Sequence, residues 1–173
     1  MAHELSIELV RTGAPVRPCD EHSYDDELDD VRSAIQDACT KIAASGAARF
    51  IVSGFAAVPW PVDVETDLAV ILEQLPDAMT ALRQSREFAL DFYEQGLERT
   101  LCFRPNGSSV DIECVSRHAS WTPEHPLVRV EGGKLEEMLR AVAVAFIQLL
   151  QDACPRLAGH EWLDEWRSQV GVE

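Results

Sequence analysis

The sequence predicts an α+β fold: a mainly antiparallel sheet of about five strands, with helices packed on one face. Three observations predict it. Short runs alternate apolar with polar residues, longer ones repeat apolar residues at spacings of three and four, and two turn dipeptides divide the region 87–116 into a meander. The length of 173 residues matches one domain, 1–173, on a prior of roughly 100–200 residues per domain.

Leu5, Ile7 and Leu9 alternate with polar neighbours, which makes residues 3–11 the first strand. Beyond a loop holding Pro15 and Pro18, the residues Leu28, Val31, Ile35, Ala38 and Ile42 form one stripe of an amphipathic helix, stopped by Gly46. Arg49 to Phe55 is β-branched and aromatic, too short for a helix, and reads as a second strand ending at Gly54 and the Pro59/Pro61 loop. Leu68, Ile71, Leu72 and Leu75 return to helical spacing. Pro76 suits the first turn of a further helix through Met79 and Leu82, so two short helices are expected to meet there.

The meander comprises strands 87–93, 98–104 and 109–116, joined by turns at Gln95-Gly96 and Asn106-Gly107. Two-residue loops at those places fix the rows Phe88/Phe103/Val110, Leu90/Leu101/Ile112 and Phe92/Arg99/Cys114 on the apolar face. The opposite face then carries Asp91/Thr100/Glu113, Ala89/Cys102/Asp111 and Tyr93/Glu98/Val115. Leu127–Val130 reads as a short extended piece. A helix from about Lys134 to Ala153 follows, apolar all round at 141–147, and a last helix near His160–Val170 carries Trp162 and Trp166 one turn apart.

Charge narrows the function classes. Thirty Asp and Glu against fifteen Lys and Arg give a formal −15, an unfavourable field for duplex DNA or anionic membrane and a favourable one for a basic protein partner. No basic start followed by an apolar run opens the sequence, and Ala141–Leu150 is about half of the ~20 residues a membrane span needs. A cytoplasmic protein is expected. The five cysteines are odd in number and unpaired in spacing, so reduced thiols are expected. Phosphate-loop, dinucleotide, zinc-protease and nucleophile-elbow motifs are absent, and no catalytic residue, metal or cofactor is assigned.

Three groups are candidates for function. Asp20, Glu21, Asp25, Asp26, Glu27, Asp29 and Asp30 occupy one stretch without Lys or Arg. The helix dipole accounts for some of these acids; the surplus is expected to engage a basic protein. Trp60, between Pro59 and Pro61, is the expected exposed aromatic anchor. The alternative is a ligand or catalytic face made of Asp91, Tyr93, Glu98, Asp111 and Glu113, in which Asp111 and Glu113 stand two apart on one strand, roughly 7 Å, a separation that catalytic carboxylate pairs use. Monomer and homodimer stay open.

One pattern joins these segments: Phe50-Ile-Val-Ser-Gly-Phe55, then Asp67-Leu68 opening a helix through Leu72 and Leu75, then Leu90-Asp-Phe-Tyr-Glu-Gln-Gly96, Leu101-Cys-Phe103 and Val110-Asp-Ile-Glu-Cys114. Over roughly residues 48–150 this layout resembles small actinobacterial proteins of unknown function and bacterial toxin-immunity proteins such as the wall-associated-toxin immunity group. The resemblance implies a non-enzymatic inhibitor that masks a basic toxin.

Overall fold

The structure, a computed structural model, describes residues 4–19 and 23–172. It is α+β, with the strands divided between two antiparallel sheets instead of one. The first pairs β1 (Ser6–Arg11) with β2 (Ala48–Ser53), Ile7 opposite Val52 and Leu9 opposite Phe50. The second runs β3 (Phe88–Phe92), β4 (Arg99–Asn106), β5 (Ser109–Ser116), β6 (Leu127–Glu131) in chain order.

Helices α1 (Val31–Ser45), α2 (Asp67–Arg83), α3 (Gly132–Ala153) and α5 (Glu161–Val170) pack among the sheets, with α4 (Pro155–Ala158) a single turn between the last two. α3 lies on β1 and α2 on β3. The apolar rows of the meander face this layer: Leu90, Phe92, Leu101, Phe103 and Ile112 are fully buried.

Leu28 was expected in the first helical stripe. It is 84% exposed, because α1 begins three residues later, at Val31, where Asp30 caps it and closes a capping box with Ser33. Pro76 does not separate two helices. α2 continues through it, which removes one backbone donor; the carbonyl left over, that of Leu72, accepts the indole Nε1–H of Trp166 at 2.8 Å.

The register between β3 and β4 is the expected one, Phe88 opposite Phe103 and Leu90 opposite Leu101, although the loop spans 93–98 instead of two residues. Between β4 and β5 it differs by two: Phe103 faces Ile112, Leu101 faces Cys114 and Arg99 faces Ser116. The loop is Gly107-Ser108, closed by the pair Asn106 and Ser109, and Gly107 at φ 63° takes the first central position that a type II′ turn reserves for glycine. A shift of two keeps every side chain on its face. Gly54 is needed for a different reason: a Cβ there would stand 2.7 Å from the Leu5 Cα, so only glycine lets the end of β2 pass beneath the first strand.

β3 is a sheet edge, and at Asp91 its outward backbone groups are satisfied from α2. The Gln74 amide accepts the Asp91 N–H at 2.8 Å and donates to the Asp91 carbonyl at 2.9 Å, which covers the edge and fixes the helix against it.

The expectation of five reduced thiols fails for two. Cys19 and Cys154 are joined by a disulfide across 135 residues, while Cys39, Cys102 and Cys114 are free. The spacing hid the pair because α3 returns the chain to the N-terminal arm, where the Cys19 N–H also meets the Ala153 carbonyl at 2.9 Å. Such bonds persist in oxidising compartments, which weighs against the cytoplasmic placement expected above. Among the described residues no helix is long and apolar enough to cross a membrane.

Candidate functional site

Asp20 and Glu21 lie outside the described residues. The rest of the acidic stretch forms a turn ahead of α1 instead of its first helical turn. Asp25 Oδ1 accepts the Glu27 N–H and Asp29 Oδ2 accepts the Asp25 N–H, both at 2.9 Å. Asp30 accepts the Arg32 N–H and pairs with the Arg32 guanidinium, both at 2.8 Å; the Arg32 side-chain hydrogen bond holds its carboxyl below the usual range. Asp25, Asp26 and Glu27 stay exposed. Local backbone needs therefore account for Asp25, Asp29 and Asp30, and leave Asp26 and Glu27 facing solvent.

The fold adds acids that are remote in sequence. Glu73 projects from α2, and burial raises its pKa first, with the charges of Asp30 and Glu94 adding to the rise and those of Arg32 and the Tyr93 hydrogen bond opposing it. The Tyr93 hydroxyl donates to Glu73 Oε2 at 3.4 Å, and the residue is 49% exposed. Burial, then the charges of Glu73 and Glu94, push the phenol up. Glu73 and Glu94 thus act on Tyr93, and Asp30 acts on Glu73, while Arg32, the ion-pair partner of Asp30, opposes them at both Glu73 and Tyr93.

A cleft of about 360 Å³ continues this surface, lined by Pro61, Asp63, Asp67, Glu94 and Leu97 among others. Asp63 caps the approach to α2: its Oδ1 accepts the Thr66 N–H at 2.7 Å, while Asp67 Oδ2 accepts the Asp63 N–H at 2.9 Å. Asp67 is only 4% exposed and its Oδ1 has no hydrogen-bond partner. Burial drives its pKa up to about 6, the Asp63 N–H opposing and the charges of Asp63 and Glu94 adding.

The alternative carboxylate face is not an acid pair. The three sheet carboxylates of that group each have an arginine: Asp91 with Arg117 at 2.7 Å, Glu113 with Arg104 at 2.6 Å and Asp111 with Arg129 at 2.5 Å. Hydrogen bonds from Arg129, then Asn106, hold Asp111 down at about 2, the reverse of what a general acid requires. With the shifted register, Cys102 lies opposite Glu113 and not Asp111, and Asp91/Thr100 align with Val115 and not Glu113. Tyr93 and Glu98 leave the sheet altogether; they belong to the β3–β4 loop, where Glu98 turns the chain at φ 45°.

Trp60 is not the protruding anchor that its two flanking prolines suggest. It is 5% exposed, drawn inward by its backbone N–H, which donates to the Val52 carbonyl at 2.8 Å, and by ring contacts with Phe55, Phe92 and Trp121. Beside it lies Arg99, 4% exposed, with its guanidinium carbon 3.4 Å from the Trp121 ring centre and 4.6 Å from that of Trp60. Nε and Nη1 of Arg99 and Nε1 of Trp60 have no hydrogen-bond partner. The sequence placed Arg99 in the apolar row Phe92/Arg99/Cys114 without singling it out.

The structure brings Tyr93 onto Glu73, which also feels the charge of Asp30, whereas Asp111 and Glu113 are held by their own arginines. Sequence reading missed Asp63, Asp67, Glu73 and Glu94. A usable signal existed for the first two, a carboxylate four residues ahead of another at a helix start; Glu73 and Glu94 needed the tertiary fold. No protein-family model, curated protein or solved structure matches the chain.

Proposed function

We propose that this chain is a non-enzymatic binding module whose acidic face docks a basic protein partner, in the manner of an immunity-type inhibitor covering a basic toxin. The observation that carries this reading is the meeting of Glu73 of α2 and Glu94 of the β3–β4 loop at the exposed Tyr93, whose hydroxyl donates to Glu73 Oε2 at 3.4 Å. Like charges held together in a folded surface repel, and a cationic partner relieves that repulsion while the field speeds encounter. An exposed tyrosine supplies the rigid contact that interface centres favour. Tyr93 takes the anchoring role that the sequence suggested for Trp60.

The test compares two variants of equal net charge against a fluorescent peptide of alternating lysine and arginine. One carries Asp29→Asn, Asp30→Asn, Glu73→Gln and Glu94→Gln, substitutions whose amide oxygens still accept the capping bonds. The other carries Glu8→Gln, Glu137→Gln, Glu161→Gln and Glu165→Gln, all exposed elsewhere. The first is expected to bind about tenfold more weakly and the second to stay near wild type. Equal loss in both would reduce the effect to total charge and overturn the reading.

A further inference from the structure

The larger sheet has two edges, and the fold treats them differently. At β3 the outward backbone of Asp91 is paired with Gln74 of α2. At β6, the opposite edge, nothing described plays that part. The Cys114 N–H donates to the Pro126 carbonyl at 2.7 Å and the Gly132 N–H to the Ser108 carbonyl at 2.8 Å, and the β5–β6 register runs between them without a break. Val128 and Val130 therefore bond to β5, while Leu127, Arg129 and Glu131 turn their N–H and C=O groups away from the sheet. All three are exposed. Among the described residues no hydrogen bond reaches the outward backbone groups of Leu127 or Arg129. Devices that usually blunt such an edge are missing: Leu127–Glu131 holds no lysine, proline or bulge, and the Arg129 guanidinium is turned back onto Asp111.

Beside this edge two apolar side chains meet in the open. Leu127 lies opposite Glu113, so Val115, two residues along β5, is its diagonal neighbour on the same face; they are 58% and 42% exposed. We propose that β6 is a homodimer edge, at which two copies of this chain pair their β6 strands antiparallel about a two-fold axis and join their sheets into one. Charge and backbone select the register. Centred on Arg129, the pairing sets one Arg129 directly against the other. Centred on Val130, it draws on the Glu131 carbonyl, which the N-cap position commits to the first bond of α3. Centred on Val128, it sets Leu127 opposite Arg129 of the second copy, each such pair exchanging both backbone bonds, and brings Glu131 beside His125 of the second copy, an acid against an imidazole. The two Leu127 side chains become diagonal neighbours. Val115 and Leu127 of both copies then form one apolar strip across the junction, bordered by the methylene stems of Arg129. A foreign strand supplies the backbone bonds but not the matching half of that strip.

Sedimentation equilibrium of the full chain between about 10 µM and about 1 mM tests this. An interface so short belongs to the transient class, so a reversible monomer–dimer equilibrium is expected. It tightens with added sodium chloride, because the formal −15 on each copy is then screened, whereas docking of a basic peptide weakens. Leu127→Pro removes only an outward donor, and Leu127→Lys leaves the backbone as it is; each is expected to weaken the dimer at least about tenfold. Val58→Lys makes the same charge change at another exposed apolar residue, 71% exposed, and is expected to leave the dimer unchanged. In a mixture of labelled and unlabelled chains, an isotope-filtered nuclear Overhauser contact is expected between Val128 Hα of one copy and Val128 Hα of the other. Where the proline variant loses its dispersed amide spectrum, the lysine variant decides. A chain that stays monomeric at about 1 mM, even one whose β6 takes up a foreign strand, overturns the proposal. So does a dimer that survives Leu127→Lys, that Val58→Lys weakens equally, or that lacks the Val128 contact.

Discussion

Trp166 donates its indole N–H to the backbone carbonyl of Leu72 at 2.8 Å, replacing the bond that Pro76, four residues along α2, has no N–H to make. A proline inside a helix leaves one acceptor unpaired and obstructs the preceding turn. Here the last helix supplies the donor, so a local defect in α2 becomes the point where α5 is attached. Trp166 is 2% exposed and meets Phe146 of α3 edge-on, so the same side chain also joins a third helix.

This pairing predicts non-additivity. Trp166→Phe keeps most of the apolar contact and strands the Leu72 carbonyl, at an expected cost of about 1–3 kcal/mol in urea unfolding. In a Pro76→Ala background the helix can satisfy Leu72 by itself, and the same substitution is expected to cost about 1 kcal/mol less. Equal costs in the two backgrounds would show that the indole and the proline are not linked.

Asp67 predicts a pH dependence whose sign is fixed by its raised pKa. The folded chain holds the Asp67 proton up to about pH 6, whereas the unfolded chain releases it near about pH 4. Its contribution to stability is therefore present in full below the lower value and is lost as pH rises through the upper one. Asp67→Asn, which keeps an oxygen for the Asp63 N–H, is expected to be more stable than wild type by about 1–3 kcal/mol above pH 7 and equal to it near pH 4. A stability difference that does not change with pH contradicts this.

Asp111 predicts a titration. Followed by ¹³C NMR, its carboxyl is expected to titrate at about 2, and to move up towards the ordinary value of about 3.9 when Arg129→Gln removes its first partner. An ordinary value in the wild type would return this carboxylate to the pool of free acids and revive the sheet face as a site for acid–base chemistry.

The Cys19–Cys154 bond closes a loop with a separation of 135 residues, for which chain entropy alone gives about 5 kcal/mol. Reduction, or Cys19→Ser with Cys154→Ser, is expected to lower the urea midpoint substantially without changing the secondary structure seen by circular dichroism. An unchanged midpoint would mean that the two thiols are not joined in solution.

The meander's faces were legible in the sequence because period-two alternation assigns a face without knowledge of the turn. Its register was legible only to within two residues, since whether Gly107 takes the first or second central position depends on backbone angles that an Asn-Gly pair does not determine. Trp60 was misread for a related reason: flanking prolines describe a loop, and whether the loop's indole turns inward depends on Phe92 and Trp121 arriving from elsewhere. The acidic stretch before α1 was visible as composition, but the turn and cap that consume Asp25, Asp29 and Asp30 were not. Glu73 and Glu94 are twenty-one positions apart and become neighbours only once α2 packs on β3, which places the best part of the candidate site beyond what spacing reveals.

The central claim is that surplus negative charge is gathered around Tyr93 for docking. Mapping amide shifts of the ¹⁵N-labelled chain on addition of the alternating lysine–arginine peptide tests it most directly. The account predicts saturable changes concentrated at Asp29, Asp30, Glu73, Tyr93 and Glu94 that weaken with added salt. Changes of similar size at Glu8, Glu131 and Glu161, remote exposed acids of the same chain, would contradict it.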